Sequence, residues 1–164
     1  MRFFNEQHQF YIGIDLHART MYVCVMDNAG AVVFHKNMPS TPACLEHVVE
    51  NYGTDIAVGV ECVFTWYWIA DFCSERSIAF ALEHVLYMKM IHGSKSKNDR
   101  IDSQKIAAML RVSMFPVAFV YPKAMRATRD LLRRREYFVR HQAELYAHME
   151  NTNYQYNFAS FVLP

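Results

Sequence analysis

The sequence predicts an α/β domain in which helices flank a mixed five-stranded sheet and a long C-terminal helix follows. Three observations carry this. The first three β-rich segments follow one another through connections too short to hold a helix, so they form an antiparallel meander. After them, strand-like runs alternate with apolar stripes of helical spacing, the pattern of parallel additions to a sheet. Finally, the stretch from Lys123 to about Glu150 keeps a helical pattern with no Gly or Pro to interrupt it.

Phe10 to Leu16 reads as the first strand and Thr20 to Met26 as the second. Asp27-Asn28-Ala29-Gly30 is a turn signature, and Ala31 to Lys36 continues as the third strand. Ser40 or Thr41 can cap a helix with Pro42 in its first turn and Leu45, Val48, Val49 and Tyr52 as its apolar stripe, stopped at Gly53. Ile56 to Glu61 is a continuous apolar run, as expected of a strand buried on both faces, and it ends in an acid. Thr65 is the expected cap of a second helix running to about Glu75, and Ile78 to Leu82 is the fifth strand. Glu83 to Met90 has no clear pattern and Gly93 to Asn98 is a polar basic loop. A helix from about Asp99 to Arg111 is expected to bury Ile101, Ile106, Ala108 and Met109; Pro116 and Pro122 then break the chain around Val117 to Tyr121. The long helix would extend roughly 40 Å at 1.5 Å per residue. Leu131, Phe138 and Leu145 recur along it every seven residues, interleaved with Thr128, Arg135, Gln142 and Met149. That is a weak coiled-coil seam, and packing back onto the domain fits it equally well. The expected divisions are the sheet-bearing α/β domain over residues 1–121, a long basic helix and possible coiled coil over 122–152 and an irregular tail over 153–164.

In this order the elements make a ribonuclease-H-like arrangement. A doubly wound sheet of flavodoxin type fits less well, because the tight turns after the first two strands exclude crossover helices there.

A chain of 164 residues can bury a proper core. Its formal charge of +1 says nothing about an acidic partner, but the distribution does. Between Lys123 and Arg140 seven basic residues face only Asp130 and Glu136, which points to a polyanion. Cys24, Cys44, Cys62 and Cys73 are scattered and form no Cys-x-x-Cys pair, so they read as reduced thiols rather than a zinc or disulfide framework. No apolar run is long enough to span a membrane, and a cytoplasmic location is expected.

Asp15 is an acid inside a run that otherwise reads as buried strand, costly unless its charge is compensated. Glu61 ends the fourth strand, which this topology sets beside the first. Asp99 and Asp102 lie three apart at a helix start, on one face. Four carboxylates brought together raise one another's pKa unless a cation intervenes, and hard oxygen ligands suit magnesium or manganese. Taken singly, Asp99 could be a helix cap, Asp102 a first-turn acid favoured by the helix dipole, and Glu61 a solvent-facing strand end.

Gly13-Ile14-Asp15-Leu16-His17, Val60-Glu61-Cys62 before Trp66-Tyr67, and Lys97-Asn98-Asp99-Arg100-Ile101-Asp102-Ser103 together resemble the DEDD transposases of bacterial insertion sequences, the IS110 family. The likeness runs from about Tyr11 to Asn157. It implies a RuvC-like nuclease domain in which Asp15, Glu61, Asp99 and Asp102 are catalytic and bind magnesium or manganese. DNA recombination is the implied activity, with a structured RNA that pairs with donor and target DNA as a further partner. The family continues into a second domain with a serine nucleophile, whereas this chain ends soon after Asn157. A truncated or frameshifted member, or a trimmed protein, is therefore expected, incomplete for strand exchange alone.

Lys95, Lys97, Arg100 and Lys105 surround the Asp99 region and could hold phosphates; a solvated basic loop is the plainer reading. Arg126, Arg129, Arg133, Arg134, Arg135 and Arg140 lie on the long helix, where backbone contacts to nucleic acid would be insensitive to sequence and weakened by salt. The same helix could join two copies of the chain. Phe64, Trp66, Tyr67 and Trp68 read as core rather than a base-stacking platform, and His17 as either a neighbour of the acids or a surface residue. Two alternatives stand beside the transposase reading: a stand-alone Holliday-junction-type nuclease, and a non-catalytic nucleic-acid-binding or dimerising fragment. The first predicts incision lost in Asp15→Ala; the second, binding that survives it.

Overall fold

A computed structural model describes residues 2–84, 86–88 and 98–158. They form two compact units, residues 1–120 and 121–164.

In the first unit, strands β1 (Phe10–Leu16), β2 (Thr20–Asp27), β3 (Val32–Pro39), β4 (Ile56–Val60) and β5 (Ala79–Leu82) make one sheet in the order β3-β2-β1-β4-β5. The two short connections force antiparallel pairing of β1 with β2 and of β2 with β3, while β4 and β5 add parallel. The expected meander and parallel additions are both present, with a third strand that starts one residue later and runs on to Pro39. Helices α1 (Pro42–Glu50), α2 (Tyr67–Glu75) and α3 (Asp99–Arg111) accompany the sheet.

Two capping details separate expectation from structure. Thr41 caps α1, its hydroxyl accepting from the Cys44 amide at 3.3 Å. Thr65 does not cap α2: Trp66 holds the cap position, and the Thr65 hydroxyl is buried without a hydrogen-bond partner among the described residues. The backbone leaves β4 through a tight turn, Val63 N–H to the Glu61 carbonyl at 2.8 Å, and Trp66 drops into the core at 1% exposure. Burying that indole decides where the helix begins.

Side chains alternate across a strand, so Tyr11, Gly13 and Asp15 share one face of β1. That face carries α3. Gly13 pairs in register with Gly59, and both lie under the helix. A Cβ on Gly13 would sit 2.1 Å from the Ser103 carbonyl oxygen and 2.5 Å from the Ala107 nitrogen; one on Gly59 would sit 2.6 Å from Leu110 Cδ1. Two glycines side by side thus let α3 approach closer than any other pair of residues would allow. The helix buries Ser103, Ile106, Ala107, Met109 and Leu110 there. Ile101 is exposed and Ala108 only half-buried, contrary to expectation, because the buried stripe runs through Ser103 and Ala107. Tyr11, Ala57, Ala81, Ile106, Leu110 and Phe115 form the core on this side.

Cys24 and Cys73 are buried and Cys44 and Cys62 half-buried, and none of them is in a disulfide among the described residues. Burial raises Cys24 to about 11 and Cys73 to about 12, so neither is a nucleophile near neutral pH. Of the aromatic group, Trp66 is core, Tyr67 and Trp68 are half-buried, and Phe64 is 85% exposed.

The second unit contains α4 (Lys123–Gln155), 33 residues with none buried. No described helix is long and apolar enough to cross a membrane.

Candidate metal centre

The acids collect at one end of the sheet for a reason visible in the register. Gly13 pairs with Gly59, and Gly59 with Ala81, across three adjacent parallel strands. Two residues further along each strand, on the same face, stand Asp15, Glu61 and Glu83. The carboxyl ends of parallel strands, where neighbouring connections diverge, are where such sheets leave space for a ligand. Asp99 and Asp102 arrive from the first turn of α3, which the two glycines hold against this face.

Asn98, not Asp99, caps α3: its side-chain oxygen accepts from the Arg100 amide at 3.0 Å. The Asp99 carboxylate is thereby left for the cluster. Ser103, fully buried, donates to the Arg100 carbonyl at 3.0 Å, and His35 Nε2 lies 2.9 Å from that carbonyl and 3.0 Å from the Ser103 hydroxyl. These contacts tie β3 to the turn that bears Asp99 and Asp102. Burial lowers the His35 pKa, favouring the neutral ring.

Asp15 is 4% exposed. Its pKa is pushed up to about 6, chiefly because burial penalises the charge; His17 opposes the rise, while Glu61, Asp99 and Asp102 add to it. His17 Nε2 stands 3.8 Å from Asp15 Oδ2 and 3.3 Å from Asp99 Oδ2, which places this histidine among the acids rather than apart on the surface. Asp102 is paired with Lys105 at 3.1 Å.

Glu83 was not legible as a member of the group. It is 6% exposed, and its pKa is raised to about 8 by burial first and then by Glu61, Asp102 and Asp15. The signal that could have found it is simple: β5, like β4, is an apolar run followed at once by an acid.

Asp15, His17 and Asp99 each offer a donor atom within 4.8 Å of the others. A buried Asp15 carboxylate beside the exposed Asp99 carboxylate and His17 nitrogen could hold a divalent cation, which keeps waters and needs few protein ligands.

Arg100 is exposed beside the cluster, and Lys95 and Lys97 lie outside the described residues. On α4, Arg126 donates to the Tyr121 carbonyl at 3.1 Å, and Arg129 sits 5.0 Å above the Tyr121 ring and 3.3 Å from Asp130. Arg140 pairs with Glu136. Arg133, Arg134 and Arg135 are exposed and make no ion pair among the described residues.

Among solved structures the chain is similar to T. thermophilus RuvC in complex with a Holliday junction substrate, with a TM-score of 0.51 at 12% identity, covering 68% of this chain and 100% of that one. A second Thermus thermophilus RuvC structure aligns at TM-score 0.43 and 13% identity over 66% of this chain and 99% of that one. The first likeness carries the fold, which is RuvC-like (ribonuclease-H-like). No curated protein matches the sequence. A family model described as a transposase, the DEDD type of IS110, matches residues 12–156, most of the chain. The protein belongs to the IS110 family of DEDD transposases.

Proposed function

We propose that this domain carries out metal-dependent phosphodiester chemistry in DNA transposition, with Asp15, Glu61, Asp99 and Asp102 as the catalytic, cation-holding acids. One observation carries the reading: Asp15 is buried among acids that raise its pKa, a charge arrangement that costs stability unless a cation compensates it. When bound, magnesium or manganese supplies Lewis-acid polarisation of the phosphodiester and stabilisation of the leaving oxygen. The protein's own part is positional. The end of β1 fixes Asp15, the exit from β4 presents Glu61, and the Asn98 cap with the His35–Ser103–Arg100 contacts fixes the turn holding Asp99 and Asp102. His17 Nε2, 3.8 Å from Asp15 and 3.3 Å from Asp99, bridges the two acids.

Nucleic acid is the partner. Arg133, Arg134 and Arg135, with Arg100, Arg126, Arg129 and Arg140, supply phosphate contacts to the element's DNA and to a structured RNA that reads sequence by pairing; Lys95 and Lys97 extend that basic set. Leu131, Phe138 and Leu145, between 63% and 67% exposed, form a seam for a second copy of the chain.

RuvC of this fold has been solved on a Holliday junction substrate, which makes branched DNA the probe. The purified chain with magnesium is expected to incise such DNA, and to stop doing so in Asp15→Asn or in chelator. Incision that survives both contradicts the acid centre. Salt-sensitive binding without any incision favours the non-catalytic alternative.

A further inference from the structure

The acids occupy only one side of the sheet end on which they stand. Asp15 pairs in register with Tyr22, and Tyr22 with Asn37, so β2 and β3 continue the Asp15 row on the same face. One row back, Gly13, Cys24 and His35 line up in the same way and lie against Arg100, Ser103 and Ala107 of α3. Because α3 begins at Asp99, the Tyr22–Asn37 row is left open. Tyr22 is half-buried, the one residue from Met21 to Met26 that is not buried, and Asn37 is exposed. The Tyr22 ring packs edge-on against His35 with centroids 5.1 Å apart, and His35 reaches the Arg100 carbonyl. The tyrosine is thus braced against the turn that bears Asp99.

Charge divides this sheet end as cover does. The chain holds no Asp or Glu from Leu16 to Met26 or from Asn28 to Leu45. Asp27, at the far end of β2, serves its own turn, accepting from the Ala31 amide at 2.8 Å. Two exposed arginines border the open row. Arg100 is one; the other is Arg19 in the hairpin from β1 to β2, whose carbonyl accepts from the Ser40 amide at 3.0 Å just beyond β3. Carboxylates repel a phosphodiester, whereas amide and guanidinium donors hold it and an aromatic ring takes a base or sugar face.

Resting on the phosphodiester reading above, we propose that Tyr22 and Asn37 form a ledge that receives the DNA strand beside the phosphate held at Asp15. Tyr22 stands one strand spacing from Asp15, about 5 Å, and Asn37 two, about 10 Å. The Tyr22 ring packs on the sugar and base of the adjoining nucleotide, and Asn37 donates from its side-chain amide to the next phosphate. An aromatic ring takes a base face only where that base is unstacked, so the occupant is a single or locally opened strand. Lys36, in register with Val23, belongs to the opposite face and takes no part.

The test uses the full chain carrying Asp15→Asn, so that DNA stays uncut, with branched DNA bearing 5-iodouracil at positions around the branch point. Irradiation is expected to crosslink one nucleotide position to Tyr22, read by mass spectrometry of the peptide. In fluorescence anisotropy, Tyr22→Leu and Asn37→Ala should each weaken binding about fivefold or more, and Tyr22→Phe and Lys36→Ala less than about twofold. Asn37 is exposed, so Asn37→Ala decides the matter even where Tyr22→Leu fails to fold. Unchanged affinity in Asn37→Ala and in a folded Tyr22→Leu would overturn the proposal, as would crosslinks that form only elsewhere. Stronger crosslinking of Tyr22 to RNA of the same sequence would overturn the assignment to DNA. Binding and crosslinking as expected, with no magnesium-dependent incision by wild type, would overturn the phosphodiester reading and leave the ledge standing. A chain that binds no branched DNA would overturn both.

Discussion

The sheet unit and the helical unit are held in different ways. In the sheet unit the functional positions are carried by buried elements: β1 is buried from Tyr11 to Leu16, β4 throughout, and α3 is seated on two glycines where a Cβ would collide with the helix. In α4 nothing is buried, and what is visible are neighbours one turn apart, such as Arg140 with Glu136, Gln142 with the Tyr146 hydroxyl at 3.0 Å, and Tyr137 against His141. Such pairs are worth a few tenths of a kcal/mol each. One unit spends packing energy on placing charges where water is scarce. The other displays charges and apolar side chains outward, where only another molecule can cover them.

The sharpest way to break this contrast is Gly13→Ala. The new methyl meets the Ser103 carbonyl and the Ala107 nitrogen, backbone atoms that move only with the whole of α3. The expected loss is about 3 kcal/mol or more, a large part of the stability of a marginally stable domain, measured by denaturant or thermal unfolding. A variant as stable as wild type would mean that the helix is not seated as described.

A smaller effect comes from pH. Both Asp15, at about 6, and Glu83, at about 8, hold their protons more tightly than the ordinary values of 3.8 and 4.5. A folded state that binds protons more tightly than the unfolded one loses stability as pH rises. The contribution of these two acids is therefore fully present below about pH 4 and is lost as the pH climbs through 6 and then 8. In chelator, the loss between the ends of that window should be several kcal/mol, and saturating manganese should reverse most of it. Unfolding curves at several pH values, with and without the ion, read this directly.

The smallest effect on stability belongs to the exposed seam. Leu131→Ala with Phe138→Ala should change the unfolding free energy of the dilute chain by no more than about 0.5 kcal/mol, as for ordinary surface changes. The same pair should lower any self-association measured by sedimentation. If stability falls by several kcal/mol instead, the seam is covered within the chain and the contrast between the units fails.

The same contrast explains what could be read from the sequence. β1, β4 and the turn at Asp27–Gly30 were legible because burial imposes a pattern, and Asp15 stood out because it violates that pattern. The nearness of Asp15 to Glu61 followed from strand order alone. Glu83 escaped notice because β5 is only four residues long and the next segment has no periodicity to mark where the strand stops. Likewise, the Thr65 cap was misjudged because a local capping preference worth about 1 kcal/mol yielded to burying the Trp66 indole. The roles of His35 and Ser103 depend on a contact between residues 68 apart, which no local pattern announces.

The most direct test of the central claim is anomalous scattering from crystals of the chain grown or soaked with manganese. The account predicts density between Asp15 and the first turn of α3, lost in Asp15→Asn crystals of unchanged fold. A chain that binds manganese with its anomalous peak elsewhere, or with the peak intact in Asp15→Asn, would contradict it.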